Sequence, residues 1–165
     1  MNELYVAVIL IILGVLGYIY WLYTRDTYIV RIKKKEIMEF KTSMELSGLP
    51  FITFYQGDKA YNFLLDTGSN VSYVNNKSTL EIKSTGVKDV FMGSNGVDES
   101  CEKVNVSLYR NEIKYEHSMN AADLNAAFTE LKKEYGINVT GILGCDFMDK
   151  YNYCLDFKEF VVYRR

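Results

Sequence analysis

The hydrophobic pattern changes its period along the chain, and each change marks an element. From Leu4 to Tyr23 the residues form a continuous, uncharged apolar run, about as long as a helix needs to cross ~30 Å of hydrocarbon. Tyr18, Tyr20, Trp21 and Tyr23 gather at its end, where an interfacial aromatic belt lies. No basic residue precedes the run and no small-x-small site follows it, so an uncleaved single-pass anchor is expected and not a signal peptide. From Glu36 onward the texture is that of strands. Ile37 to Phe40 and Met44 to Leu46 are short apolar-polar alternations, and Phe51 to Tyr55 and Tyr61 to Leu65 are stronger ones joined by the turn Gln56-Gly57-Asp58-Lys59. The one proline, Pro50, stands at a strand mouth, where no ladder N–H is needed. Val71 to Val74, Ser78 to Ile82, Cys101 to Tyr109 and Glu112 to Ser118 continue the pattern, which predicts a mostly β fold built as a small closed barrel. Between Asn120 and Gly136 the period becomes helical: Leu124, Phe128, Leu131 and Tyr135 share one face, with Asn120 as cap and Gly136 as stop.

Length and charge narrow the partners. A chain of 165 residues holds one ordinary domain plus an anchor, divided as anchor 1–24, basic juxtamembrane linker 25–36 and domain 37–165. The net charge of −2, without a stripe of basic and aromatic residues, gives no case for a nucleic-acid partner. Arg25, Arg31, Lys33, Lys34 and Lys35 follow the apolar run while Met1-Asn2-Glu3 carries no basic group; this bias places the domain on the cytoplasmic face, with the basic cluster near anionic headgroups. Four Asn-x-Ser/Thr matches carry no weight on that face. Three cysteines, an odd number without metal-ligand spacing, argue against a disulfide framework, and no metal or cofactor is expected. His117 has no companion residues in the sequence and reads as a satisfied side chain. Cys145 reads as a small buried residue beside Gly144.

The chemistry concentrates in Phe63-Leu64-Leu65-Asp66-Thr67-Gly68-Ser69-Asn70-Val71-Ser72. Apolar residues run into an acid and then into a turn of small hydroxylated residues and glycine, which plants a carboxylate on a tight loop at a strand end. Two such carboxylates sharing a proton can hydrolyse a peptide: the ionised one draws a proton from water and the neutral one protonates the carbonyl oxygen. Asp66 is the expected catalytic residue. Gly68 is expected to turn the backbone sharply and offer its N–H to the carboxylate, Thr67 to reach an opposing loop, and Ser69 to bond the outer oxygen of Asp66.

These residues resemble the retropepsin-like aspartic proteases, the retroviral-type family. The resemblance rests on Phe51-Ile52-Thr53-Phe54 with Tyr61 to Ser69, on Thr140-Gly141-Ile142-Leu143-Gly144-Cys145-Asp146-Phe147-Met148, and on Tyr153-Cys154-Leu155-Asp156-Phe157. It implies an acid-protease barrel with one or two short helices, Asp66 as catalytic acid/base supported by Thr67, Gly68 and Ser69, and a hydrophobic-hydrophobic-Gly element at Ile142, Leu143 and Gly144. It also implies a flap within Lys88 to Val97, at Met92, Gly93, Ser94, Asn95 and Gly96, closing over bound peptide. Cys145 stands where the viral enzymes carry an arginine. Asp146 has no Thr-Gly after it and reads as a structural or capping acid. One acid loop per chain then implies a homodimer. The expected activity is that of a membrane-anchored aspartic endopeptidase acting on a peptide or protein substrate; the alternative is a catalytically inactive, membrane-tethered peptide-binding module of the same fold.

Overall fold

The computed structural model describes residues 11–24, 37–92 and 98–165. Residues 11–24 are helical (α1) and exposed throughout. Among the described residues no helix is long and apolar enough to cross a membrane, so the expected transmembrane helix is not supported there. The first part of the expected span, residues 4–10, and the expected linker, 25–36, lie outside the described residues.

The domain is mostly β. Among the described residues its ten strands are β1 (Met38–Glu39), β2 (Phe51–Gln56), β3 (Lys59–Leu65), β4 (Tyr73–Asn75), β5 (Ile82–Met92), β6 (Asp98–Arg110), β7 (Ile113–Ala122), β8 (Val139–Leu143), β9 (Tyr153–Asp156) and β10 (Val161–Arg164). Three further helices join α1: α2 (Lys41–Ser47), α3 (Asn125–Tyr135) and α4 (Cys145–Tyr151). The main sheet runs β2-β3-β8-β4-β7-β6-β5, and a pairing of β2 with β6 at Tyr55 and Tyr109 closes six of its strands into a barrel. β5 stays outside the closure, bonded to β6 alone, so that β5 and β6 form a long arm leaving the barrel. A second sheet, β1-β10-β9, joins the two ends of the domain.

Alternation explains the barrel's interior. Ile52, Phe54, Phe63, Leu65, Val104, Val106, Leu108, Tyr115 and Met119 all point inward and are buried, as expected for strands with one covered face. Phe54 packs edge-on against Phe63, Tyr115 and Phe147. Burial of a ring such as Phe147 of α4, fully enclosed here, stabilises by about 3 kcal/mol. The phenols of Tyr115 and Tyr153 hydrogen-bond to each other at 2.8 Å inside this cluster, so neither polar tip is left dry and unpaired. α3 closes a smaller cluster: Phe128 meets Phe51 and Val139, flanked by Leu124 and Leu131.

Several expectations need correction. Besides α1, the domain carries three helices among the described residues, not one or two. Met44–Leu46 lies in α2: Phe40 and Met44 face the core one turn apart, Leu46 is exposed, and Gly48 ends the helix in the left-handed region at φ +68°. Of the strand expected at Ser78–Ile82 only Ile82 is in a strand, the start of β5, because side chains take the backbone bonds before it. Gln56 accepts from the Glu81 N–H and donates to its carbonyl, and Tyr61 donates to Thr79 O. The helical segment starts at Asn125; Asn120 to Ala122 belong to β7, held parallel to β4, and Gly136 ends α3 as expected. The strand expected at Val71–Val74 is β4, Tyr73–Asn75, and β10 has no counterpart in the sequence reading.

Two crossings fix the barrel where β8 lies between β3 and β4. Gly141 faces Phe63 on one side and Val74 on the other, and a Cβ built there would stand 2.3 Å from Tyr73 O and 2.8 Å from the Phe63 ring. Gly141→Ala should therefore destabilise the domain by about 2 kcal/mol or more through overpacking, read as a lower urea midpoint with an unchanged slope.

Candidate active site

Parallel pairing of β3 with β8 matches Leu64 to Ile142 and Leu65 to Leu143. Both strands therefore end at the same level, and the turn after one meets the turn after the other. Asp66 N–H donates to Leu143 O at 3.0 Å, Cys145 N–H to Ser69 O at 2.8 Å, and Asp146 N–H to Asn70 O at 3.3 Å. Gly144 makes this seating possible: a Cβ there would lie 2.6 Å from Val71 O and 2.7 Å from Ser69 O. Residues 66–69 and Ile142-Leu143-Gly144, far apart in sequence, are thus brought together.

Asp66 is half-buried. Its Oδ1 accepts the Gly68 N–H at 2.9 Å, as expected of that glycine. Ser69 differs from expectation. Its hydroxyl donates to Val71 O at 2.7 Å, tightening the turn and leaving the acid's outer oxygen alone. Thr67 is exposed, and its carbonyl accepts the Cys145 thiol at 3.4 Å; Cys145 is thereby half-exposed beside the turn, not buried. Met92 ends β5, while Gly93, Ser94, Asn95 and Gly96 of the expected flap lie outside the described residues.

Beneath the turn is a cluster that the sequence reading missed. The Asp146 carboxylate accepts the Ser72 N–H at 3.0 Å, the Ser72 hydroxyl at 2.6 Å and the Phe147 N–H at 2.8 Å, and His117 Nε2 lies 3.2 Å from its Oδ2. The Ser72 oxygen also accepts Gly144 N–H at 3.0 Å. His117 therefore has companions after all. The signal was available: Tyr115, His117 and Met119 alternate with exposed Glu116 along β7, so His117 stands on the inward face.

A serine, a histidine and an aspartate in contact invite comparison with a nucleophilic triad, but the geometry is wrong for one. In a triad the serine and the acid face opposite ring nitrogens; here both face Nε2, and Ser72 is fully enclosed. No group of three or more His, Cys, Asp or Glu side chains suited to a metal occurs among the described residues. No family model and no curated protein matches the chain.

Burial works to raise the Asp146 pKa, but the hydrogen bonds from His117 and Ser72 outweigh it and hold the carboxyl below its ordinary value. A carboxyl lowered in the folded state stabilises fully above its unfolded pKa, about 4 for Asp, and loses that contribution as pH falls through the folded value. Asp146→Asn should lower stability near neutral pH by about 2 kcal/mol, the scale of hydrogen bonds to a charged group. It should also lose less than wild type on acidification below about pH 4. Urea midpoints across that range test both.

Proposed function

We propose that this protein is a membrane-anchored aspartic endopeptidase of the retropepsin-like kind, acting as a homodimer. The observation that carries the reading is the seating of Asp66. A half-exposed carboxylate sits on a tight turn at the end of a barrel strand, oriented by the Gly68 N–H and backed by bonds to Leu143 and Cys145. Such orientation is what water activation by a carboxylate requires.

The second acid comes from another copy of the chain. Asp146, the nearest other acid in the sequence element that seats the turn, has its lone pairs taken by donors and serves as an anchor, so it does not share a proton with Asp66. Two Asp66 side chains facing each other across a twofold axis form a dyad whose proton belongs to the pair. The ionised member takes a proton from water as the oxygen attacks the scissile carbonyl, and the protonated member gives its proton to the carbonyl oxygen. A flap at Met92, Gly93, Ser94, Asn95 and Gly96, following β5 in the sequence, would bond an extended peptide through its main chain as an added strand. The apolar run of residues 4–23 is the proposed anchor; the exposure of Ile11, Leu13, Leu16, Tyr20, Trp21 and Tyr23 supports a lipid environment for α1, and the basic residues after the run favour a domain on the cytoplasmic side. Tethering both copies in one membrane raises their effective concentration.

Asp66→Asn should reduce cleavage of a peptide library by about 10³-fold or more while leaving the urea midpoint near wild type. A statine-type mimic of the tetrahedral diol should inhibit the wild type. Specific activity should rise with protein concentration, and cleavage by a strictly monomeric species would refute the dyad.

A further inference from the structure

The one histidine of the chain is buried beneath the acid turn with one ring nitrogen fully engaged and the other idle. His117 is 6% exposed. Its Nε2 is 3.2 Å from both Asp146 Oδ2 and Ser72 Oγ, and its ring stands edge-on against Phe147 at 5.3 Å. Nδ1 is enclosed and has no hydrogen-bond partner among the described residues. Ser72 donates its only hydroxyl proton to Asp146, so the proton between the ring and the carboxylate belongs to Nε2.

We propose that His117 is a positioning residue for the acid turn: its ring holds Asp146 and Ser72 through Nε2–H. The proposal follows from the chain of contacts. Nε2–H fixes the carboxylate, the carboxylate fixes the N–H and hydroxyl of Ser72, and the Ser72 oxygen fixes Gly144, whose neighbour Cys145 bonds Ser69 of the turn.

The inference gains its catalytic meaning from the proposed endopeptidase, but it is tested without turnover. Amide hydrogen exchange of the chain in detergent, corrected for intrinsic rates, is followed by NMR at Ser72, Gly144 and Cys145 at one fixed pH. In His117→Gln, whose side-chain amide places a donor near Nε2, protection should be retained. In His117→Phe, which fills the space without a donor, protection should fall by about tenfold or more, the scale of one buried hydrogen bond. Nitrogen-15 spectra of the imidazole should show a proton on Nε2. The proposal is overturned by an Nδ1–H tautomer, by protection lost in His117→Gln as fully as in His117→Phe, or by full protection in His117→Phe. An Asp66→Asn protein that still cuts peptide refutes the proposed function and leaves these readings intact.

Discussion

The parallel pairing of β3 with β8 is the constraint on which the candidate site depends, because it makes two strands from distant parts of the chain stop side by side. Parallel neighbours cannot be joined by a tight turn, and here the connection from β3 to β8 runs through four further strands and α3. Its cost in loop-closure entropy is offset by what the pairing buries, with Phe63, Leu65 and Leu143 enclosed in the barrel core. Two glycines permit the approach. Gly141 lets β8 lie close between Phe63 and Tyr73, and Gly144 lets the following turn touch the carbonyls of Ser69 and Val71. Neither has a positive φ, so each is required for space and not for backbone freedom.

The parts of the fold that the sequence made legible are those whose signals are local. The hairpin of β2 and β3 was marked by alternation and by Gly57, which adopts φ +59° at the turn. Gly136 marked the end of α3 in the same way. The turn at Asp66 was readable because apolar residues led directly into Asp-Thr-Gly, and the Gly68 N–H bond follows from the turn itself. What was not legible depended on contacts made from far away. Ser78–Leu80 alternates like a strand, yet the Gln56 side chain claims the backbone groups of Glu81. Met44-Glu45-Leu46 alternates too, but Phe40 and Gly48 make that segment helical. The cluster joins Ser72 of the loop before β4 with His117 of β7 and Asp146 of α4, so no window of sequence contains it; only the inward phase of β7 pointed to His117.

The arm formed by β5 and β6 shows how the barrel tolerates an unpaired edge. Beyond β5 no further strand is bonded among the described residues, and Val87 and Val90 are exposed along it. Such an edge invites pairing with other chains. Lys83, Lys88 and Asp89 interrupt its apolar residues, and the register shifts between Ser84 and Lys88, where Gly86 takes φ +73°. A bulge of this kind bends and twists the strand, so the edge is neither flat nor uniformly apolar.

Asp66 and Asp146 lie on adjoining turns and yet are suited to opposite tasks, and their surroundings decide which is which. A carboxylate that accepts three or four donors is held ionised and cannot readily accept a shared proton, which is the condition of Asp146. Among the described residues Asp66 has a single bonded oxygen, held by Gly68, and is half-exposed, so its other oxygen is open to a water or another carboxyl group. Without its contacts Asp146 would leave the Ser72 N–H and hydroxyl without their acceptor under the turn, whereas a donor-saturated carboxylate at position 66 would have no lone pair for water. The scaffold thus assigns chemistry by counting hydrogen bonds, and on the proposed reading the shortage at Asp66 is made good only when a second copy brings its own.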